Sequence, residues 1–93
     1  YFGDGKYQQA ISELTIAISL DPEQGQFYSN RGLAYRRLGQ YQLALQDQDK
    51  AIQLDPSSAK AYQNRSVSYR ELGLHSKAES DSVKACLMDS QYC

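Results

Sequence analysis

The sequence lacks the features that mark several large classes of protein. No apolar run approaches the roughly 18 residues that a transmembrane helix needs. Ten Lys and Arg against eleven Asp and Glu give a net charge of −1, which argues against a general nucleic-acid binder. Two Pro and six Gly are too few for a loop-rich or fibrous chain. The 93 residues therefore leave room for one small globular domain.

Cysteine and histidine are also scarce. Two cysteines, Cys86 and Cys93, with the single His75 predict neither a zinc cluster nor a disulfide framework. We therefore expect no metal or other cofactor, and a reducing compartment, the cytoplasm. Cys86 is in register with Ile18 and Ile52, which predicts a small buried apolar residue. Cys93 falls in a predicted C-terminal tail.

Groups suited to catalysis are few. His75 has no nucleophile or carboxylate at a suggestive spacing, and its register with Tyr7 and Tyr41 predicts a packing role rather than general-base work. Gly3 and Gly5 follow no predicted strand and complete no phosphate-binding pattern. We expect no catalytic residue and no enzyme activity in this chain.

A repeat of 34 residues runs through the sequence. Residues 25–58 and 59–92 share 12 identities in 34, and residues 1–24 and 35–58 share 10 in 24, in both cases without a gap. The repeated positions include Gly5, Gly39 and Gly73, Ala10, Ala44 and Ala78, Ala17, Ala51 and Ala85, Asp21, Asp55 and Asp89, and Tyr1, Tyr35 and Tyr69. The single domain therefore divides into a partial repeat, 1–24, and two full repeats, 25–58 and 59–92.

Each full repeat predicts two helices, a first or A helix and a second or B helix. Apolar residues recur at three-, four- and seven-residue spacing up to Gly39, and again up to Asp55-Pro56, where proline disfavours helix in the preceding residue. Ser57 and Ser58 can cap the next helix. The partial repeat supplies a B helix only. The five predicted helices cover residues 7–20, 24–37, 40–54, 58–71 and 75–89.

The residues at these offsets resemble the tetratricopeptide repeat (TPR). The second repeat carries the pattern at Tyr28, Gly32, Tyr35, Gly39, Tyr41, Ala44, Ala51 and Pro56. The resemblance implies an all-α fold in which antiparallel helix-turn-helix units stack as an α-solenoid, the TPR superhelix. Arg31 and Arg65 replace the usual Leu, and Gln48 and Ser82 replace the usual Phe. These polar substitutions predict looser packing between neighbouring repeats.

Small residues predict where the helices cross. Close helix approach needs small side chains, so we place the crossings at Ala10, Ala17, Ala44, Ala51, Ala78 and Ala85. A repeat cannot bury its apolar faces alone. The predicted helix 7–20, with Ile11, Leu14 and Ile18 on one stripe, should then expose apolar surface. We expect self-association through this incomplete N-terminal repeat.

The charges are sorted by helix. The A helix of residues 24–37 carries three arginines and no acid, whereas each B helix has a net negative charge. The acids Asp47, Asp49, Glu79 and Asp81 are interpreted as a solvated face of the B helices. Because A helices line the concave groove in TPR arrays, the resemblance implies a basic groove. Such a groove favours an extended acidic peptide.

The family's groove positions predict the site residues. They fall on Ser29, Asn30, Leu33, Arg36, Arg37, Lys60, Gln63, Asn64, Val67 and Arg70. This set resembles part of the dicarboxylate clamp of co-chaperone TPR domains, which bind the acidic C-terminal tails of heat-shock chaperones. Asn30 matches the clamp Asn and Lys60 the clamp Lys, whereas Asn64 stands where the clamp has Arg. An Asn amide can hold a peptide backbone, and basic side chains can bind carboxylates.

Three hypotheses about function follow. The first is an adaptor that binds a peptide, acidic or C-terminal, in the groove. The second is a structural spacer or self-assembly segment of a longer superhelix, with no peptide bound. The third is a repeat domain beside a catalytic domain, with the activity outside these residues. Substitutions at Arg36, Arg37 and Lys60 distinguish the first two, because they should abolish only an adaptor's binding.

Overall fold

The computed structural model of the chain describes residues 2–93, with side chains from residue 5 onward. Over this range it contains α1 (Phe2–Leu20), α2 (Gly25–Arg37), α3 (Tyr41–Leu54), α4 (Ala59–Glu71), α5 (His75–Met88) and a 3₁₀ turn at Ser90–Tyr92. The predicted all-α fold with five helices is confirmed. Tyr1, which the repeat aligns with Tyr35 and Tyr69, lies outside the described residues.

Glycine ends the A helices as the sequence predicts. Gly39 and Gly73 adopt φ values of +78° and +79°, in the left-handed region that costs glycine little. The amide after each glycine donates back to a carbonyl of the last helical turn, Gln40 to Tyr35 and Leu74 to Tyr69, both at 2.9 Å. These bonds reverse the chain from α2 into α3 and from α4 into α5.

The turn from α3 into α4 contains the helix-end and capping residues that the sequence predicts. Helix α3 ends at Leu54, directly before Asp55 and Pro56. The Oγ of Ser58 then accepts a hydrogen bond of 3.2 Å from the Ala61 amide, which satisfies one free donor at the start of α4. Local chemistry in these few residues therefore sets the turn from one repeat to the next.

Helix α1 begins earlier than the sequence predicts. It runs from Phe2 rather than from Tyr7, and Gly5 lies inside it instead of ending a helix. A Cβ added at Gly5 would meet no neighbouring atom within 4 Å.

Alanine lines the contacts between helices. Ala44, Ala51, Ala78 and Ala85 are at most 2% exposed, as the crossing-point prediction requires. At Gly32 a Cβ would lie 3.1 Å from the Cγ of Gln48 and 3.2 Å from the carbonyl oxygen of Ala44, so α2 approaches α3 closely there. Ala10 and Ala17 of α1 are only half-buried, because no described helix covers that face.

Candidate functional site

Arg31 joins three helices. From α2, its Nε and Nη2 donate to the two carboxylate oxygens of Asp47 on α3, at 2.7 and 2.8 Å. Its Nη1 donates to the Oγ1 of Thr15 on α1, at 3.1 Å. The paired contact to Asp47 uses the planar geometry that guanidinium and carboxylate share. One side chain therefore connects its own repeat to the preceding one.

Arg65 makes the same arrangement one repeat later. From α4, it donates to both oxygens of Asp81 on α5, at 2.7 and 2.8 Å. Its Nη1 donates to Asp49 on α3, at 3.1 Å. In both repeats the partners lie 16 residues before and 16 residues after the arginine. The second cluster has a carboxylate where the first has a hydroxyl.

Two tyrosine rings flank each arginine on its own helix. The guanidinium carbon lies between 5.6 and 5.9 Å from the ring centroids of Tyr28 and Tyr35 for Arg31, and of Tyr62 and Tyr69 for Arg65. The hydrogen bonds to Asp47 and Asp81 raise the pKa values of the two arginines above their usual range, against the opposing effect of burial. Both arginines are held as charged, packed groups.

These clusters overturn two expectations. Asp47 and Asp81 are 4% and 5% exposed, so the prediction that they form a solvated face is wrong for both. Asp49 and Glu79 are exposed as predicted, although Asp49 also binds Arg65. The replacement of Leu by arginine does not loosen the packing, because each guanidinium links three helices.

The arginine pairs also change the charge of the groove. Arg31 and Arg65 are neutralised by buried aspartates, so they do not contribute free positive charge to the A-helix surface. The basic groups left on α2 and α4 are Arg36, Arg37, Lys60 and Arg70. We call these four, with the predicted polar and apolar positions Ser29, Asn30, Leu33, Gln63, Asn64 and Val67, the α2–α4 groove.

One polar contact joins the two A helices of this groove. The Nδ2 of Asn64 donates to the Oγ of Ser29 at 3.4 Å, and Ser29 is 8% exposed. Gln26 donates to the Oδ1 of Asn30 at 3.4 Å and lines a small depression together with Ser29 and Lys60. Asn30 itself does not line this depression, so Gln26 lies between it and the surface that Lys60 lines.

Arg36 is a groove residue whose charged side chain is partly buried. It is half-buried, and its Nε has no hydrogen-bond partner. Burial lowers the pKa of Arg36, and the neighbouring positive charge of Arg37 lowers it further. A half-buried cation with a free donor favours an anionic ligand. Arg37 is exposed.

The remaining predicted positions lie further along α4. Gln63 and Val67 are half-buried, and the Oε1 of Gln63 is buried without a hydrogen-bond partner. Arg70 is exposed at the end of α4 and lines a shallow pocket with His75 and Glu79 of α5. Arg70 therefore lies beside the turn into α5, away from the depression that Lys60 lines.

A larger pocket lies where α1 meets α2. It has a volume of about 520 Å³ and contains two predicted groove residues, Asn30 and Leu33. The rest of the lining consists of Ala34 and five residues of α1: Tyr7, Ala10, Glu13, Leu14 and Ala17. Sequence reasoning did not assign the α1 residues to a site. The signal that finds them is the repeat register, which aligns Glu13 with Asp47 and Asp81.

The C-terminal end corrects the expectations for cysteine and histidine. Cys86 on α5 and Cys93 after the 3₁₀ turn form a disulfide, with 4.7 Å between their Cα atoms. Cys86 is therefore not a buried free thiol, because the chain turns back far enough to bring Cys93 against it. His75 is exposed, so the predicted packing role is wrong.

Membrane-spanning helices and metal-binding groups can be assessed for the described residues. Within residues 2–93, no helix has the length and apolarity needed to cross a membrane. In the same part of the chain, no group of three or more His, Cys, Asp or Glu side chains is placed to hold a metal ion.

Family comparison agrees with the repeat geometry. Two profiles described as tetratricopeptide repeat match residues 1–59 and residues 59–92. The chain belongs to the tetratricopeptide repeat family. The resemblance in the spacing of glycine, alanine and tyrosine is thereby confirmed over nearly the whole TPR chain. No curated protein was found to match it.

Solved TPR domains share the architecture. The first TPR domain of Spaghetti (RPAP3), bound to the HSP90 peptide SRMEEVD, is 31% identical with a TM-score of 0.90, over 97% of this chain and 71% of that one. The second TPR domain of human RPAP3, in complex with the HSP70 peptide SGPTIEEVD, is 32% identical with a TM-score of 0.87, over 97% and 75%. The TPR2B domain of yeast Sti1, in a pHsp70 complex, is 27% identical with a TM-score of 0.89, over 98% and 73%. This likeness supports a protein-interaction module.

Proposed function

We propose that the α2–α4 groove binds an acidic peptide, in an extended form and through its C-terminal carboxylate. The observation that carries the proposal is the depression that Lys60 lines together with Gln26, which donates a hydrogen bond to Asn30 on the same helix. An Asn amide offers a donor and an acceptor to a peptide backbone, and the exposed Lys60 ammonium attracts a carboxylate.

Arg36 strengthens the proposal on energetic grounds. Its guanidinium is already partly desolvated and has a donor without a partner. A carboxylate bound beside the guanidinium would supply the opposing charge. Since Arg31 and Arg65 are already paired inside the fold, Arg36, Arg37 and Lys60 carry the positive charge that the peptide would meet.

The structural relatives suggest the probe. The peptides in the RPAP3 complexes end in Glu-Glu-Val-Asp, so we propose a tail of this acidic type as the ligand class for this chain. Binding, rather than catalysis, is the proposed activity. Asn64 stands where the clamp has Arg, and this departure predicts weaker peptide binding. Asn64 carries no charge, and its amide already donates to Ser29.

The test measures the affinity of a fluorescent peptide with the sequence SRMEEVD by anisotropy. Asn30→Ala and Lys60→Ala should each weaken binding by about tenfold, as expected for the loss of a hydrogen bond to a charged or backbone group. Lys50→Ala on α3 removes the same charge outside the groove and should leave binding unchanged. A peptide with a C-terminal amide should bind as weakly as the Lys60 variant does to the free acid.

The alternative function predicts different results. If the chain is a spacer within a longer superhelix, the acidic peptide binds no more tightly than its amide, and the groove variants behave like the wild-type chain. Increasing salt provides a second check, because screening should weaken peptide binding to exposed cations. An affinity insensitive to both salt and Lys60 would reject the proposed groove.

A further inference from the structure

Two buried polar side chains, one on α3 and one on α4, have no hydrogen-bond partner among the described residues. Gln48 on α3 is 1% exposed, and neither its Oε1 nor its Nε2 has a partner. Ser68 on α4 is 0% exposed, and its Oγ has no partner either. A buried amide or hydroxyl of this kind costs free energy, because nothing replaces the hydrogen bonds that it makes to water in an open structure.

The 34-residue register places both side chains at the contact between repeat 25–58 and repeat 59–92. Gln48 aligns with Leu14, and Ser68 aligns with Ala34. Leu14 and Ala34 line one pocket where α1 meets α2, so these two positions face each other across a boundary between repeats. Gln48 and Ser68 therefore lie in the corresponding contact of α3 with α4, which we call the α3–α4 junction.

The polar contacts that cross the α3–α4 junction are weaker than those inside the repeats. Arg65 donates to Asp81 of its own repeat at 2.7 and 2.8 Å, but to Asp49 across the junction at 3.1 Å. The Asp49 side chain is 59% exposed, so water and salt screen this contact. Asn64 on α4 donates to Ser29 on α2 at 3.4 Å, which is longer than usual for a hydrogen bond. The junction is therefore held less firmly than either repeat.

We propose that the α3–α4 junction is a hinge, at which repeat 59–92 moves as a unit relative to repeat 25–58. Opening gives the Gln48 amide and the Ser68 hydroxyl access to water, which compensates for part of the apolar contact that is lost. The apolar side chains of α3 on this face include Ala44 and Ala51, which are small, so opening exposes little apolar surface. The closed and open arrangements therefore differ little in free energy, and both are populated.

The hinge lies beneath the α2–α4 groove and changes its width. Asn30 belongs to α2, on one side of the junction, and Lys60 belongs to α4, on the other side. A peptide bound by both residues holds the two helices at one distance, so peptide binding favours the closed arrangement. This consequence rests on the proposed peptide binding, whereas the hinge itself does not.

Pairs of spin labels measure the movement. Gln46→Cys on α3 and Ser80→Cys on α5 place labels at exposed positions on the two sides of the junction. Gln26→Cys and Gln53→Cys place a second pair at exposed positions within repeat 25–58. Cys86 and Cys93 are joined in a disulfide and take up no label. Electron paramagnetic resonance should give a broad distance distribution for the pair across the junction and a narrow one for the pair within the repeat.

A double substitution tests the role of the buried polar groups. Gln48→Leu with Ser68→Ala gives the junction the residues that stand one repeat earlier, and it should narrow the distribution across the junction. Gln42→Leu with Ser76→Ala makes the same chemical changes at exposed positions and should leave the distribution unchanged. Circular dichroism checks that each variant is folded. Equal widths for the two label pairs, or a junction width that Gln48→Leu with Ser68→Ala does not reduce, would overturn the proposal.

The peptide SRMEEVD separates the hinge from the proposed peptide binding. Its addition should narrow the distribution across the junction, and Gln48→Leu with Ser68→Ala should bind it about threefold more tightly, because less of the chain is open. A chain that binds no peptide but narrows on the double substitution keeps the hinge and rejects the peptide groove. A chain that binds the peptide with no change of width, in the wild-type form or in the double variant, rejects the hinge and keeps the groove.

Discussion

The two full repeats contain the same arginine cluster in different surroundings. In repeat 25–58, Arg31 binds Asp47 and the neutral hydroxyl of Thr15. In repeat 59–92, Arg65 binds Asp81 and a second carboxylate, Asp49. Equivalent hydrogen bonds of Arg31 and Arg65 have the same lengths, so the two clusters share one geometry. They differ in charge, because only the second cluster contains two carboxylates. The same arginine geometry is therefore compatible with either partner, and we expect the residue on the preceding B helix to adjust the stability of the fold.

The largest expected loss of stability comes from removing the aspartate that each arginine binds through two hydrogen bonds. Asp47→Ala should lower the free energy of unfolding by about 3 kcal/mol, because it leaves a part-buried guanidinium with only Thr15. Asp81→Ala should cost about 2 kcal/mol, since Asp49 still accepts from Arg65. Urea unfolding followed by circular dichroism measures both. Equal losses would mean that the additional carboxylate has no energetic role.

A second difference between the repeats lies beside the clusters. Gln48 is 1% exposed, and neither its Oε1 nor its Nε2 has a hydrogen-bond partner, whereas the aligned Ser82 is half-buried. Gln48→Met keeps the length of the side chain and removes the unsatisfied amide, so it should raise the free energy of unfolding by about 1 kcal/mol. Gln46→Met, at an exposed position of α3, is the control and should change little. A lower free energy of unfolding for Gln48→Met would contradict the prediction that the Gln48 amide is buried without hydrogen-bond partners.

The smallest expected effect comes from exchanging the residue that distinguishes the clusters. Thr15→Asp should stabilise the chain by about 0.5 kcal/mol, and Asp49→Thr should destabilise it by a similar amount. Both values are small because the Asp49 side chain is 59% exposed and well solvated. Thermal unfolding at low and high salt measures the effect, which salt should reduce. Ser12→Asp adds the same charge elsewhere on α1, and an equal gain there would attribute the effect to net charge alone.

Much of the fold could be predicted from the sequence because its signals are local. The glycine turns, the Asp-Pro boundary and the cap at Ser58 each depend on residues within one turn of the chain. The start of α1 could not be predicted in this way. The glycine at position 5 is in register with Gly39 and Gly73, but it lies inside α1 and ends no helix.

The candidate site likewise has a part that the sequence predicted and a part that only the structure shows. Repeat register placed Asn30 and Lys60 on A helices, but the hydrogen bond from Gln26 to Asn30, the depression that Lys60 lines and the burial of Ser29 became visible only in the structure. The charge of the groove was overestimated for a physical reason. Counting charges along one helix cannot show that Arg31 is neutralised by an aspartate on the next helix.

The sequence by itself determined the 34-residue period, the helical class, the turns and the alanines at the crossings, because these follow from spacing and backbone preference. The tertiary structure decided which charges are paired, which alanines are covered and that Cys86 meets Cys93. Each of these depends on the distance between side chains of different segments, and that distance is set only when the helices pack.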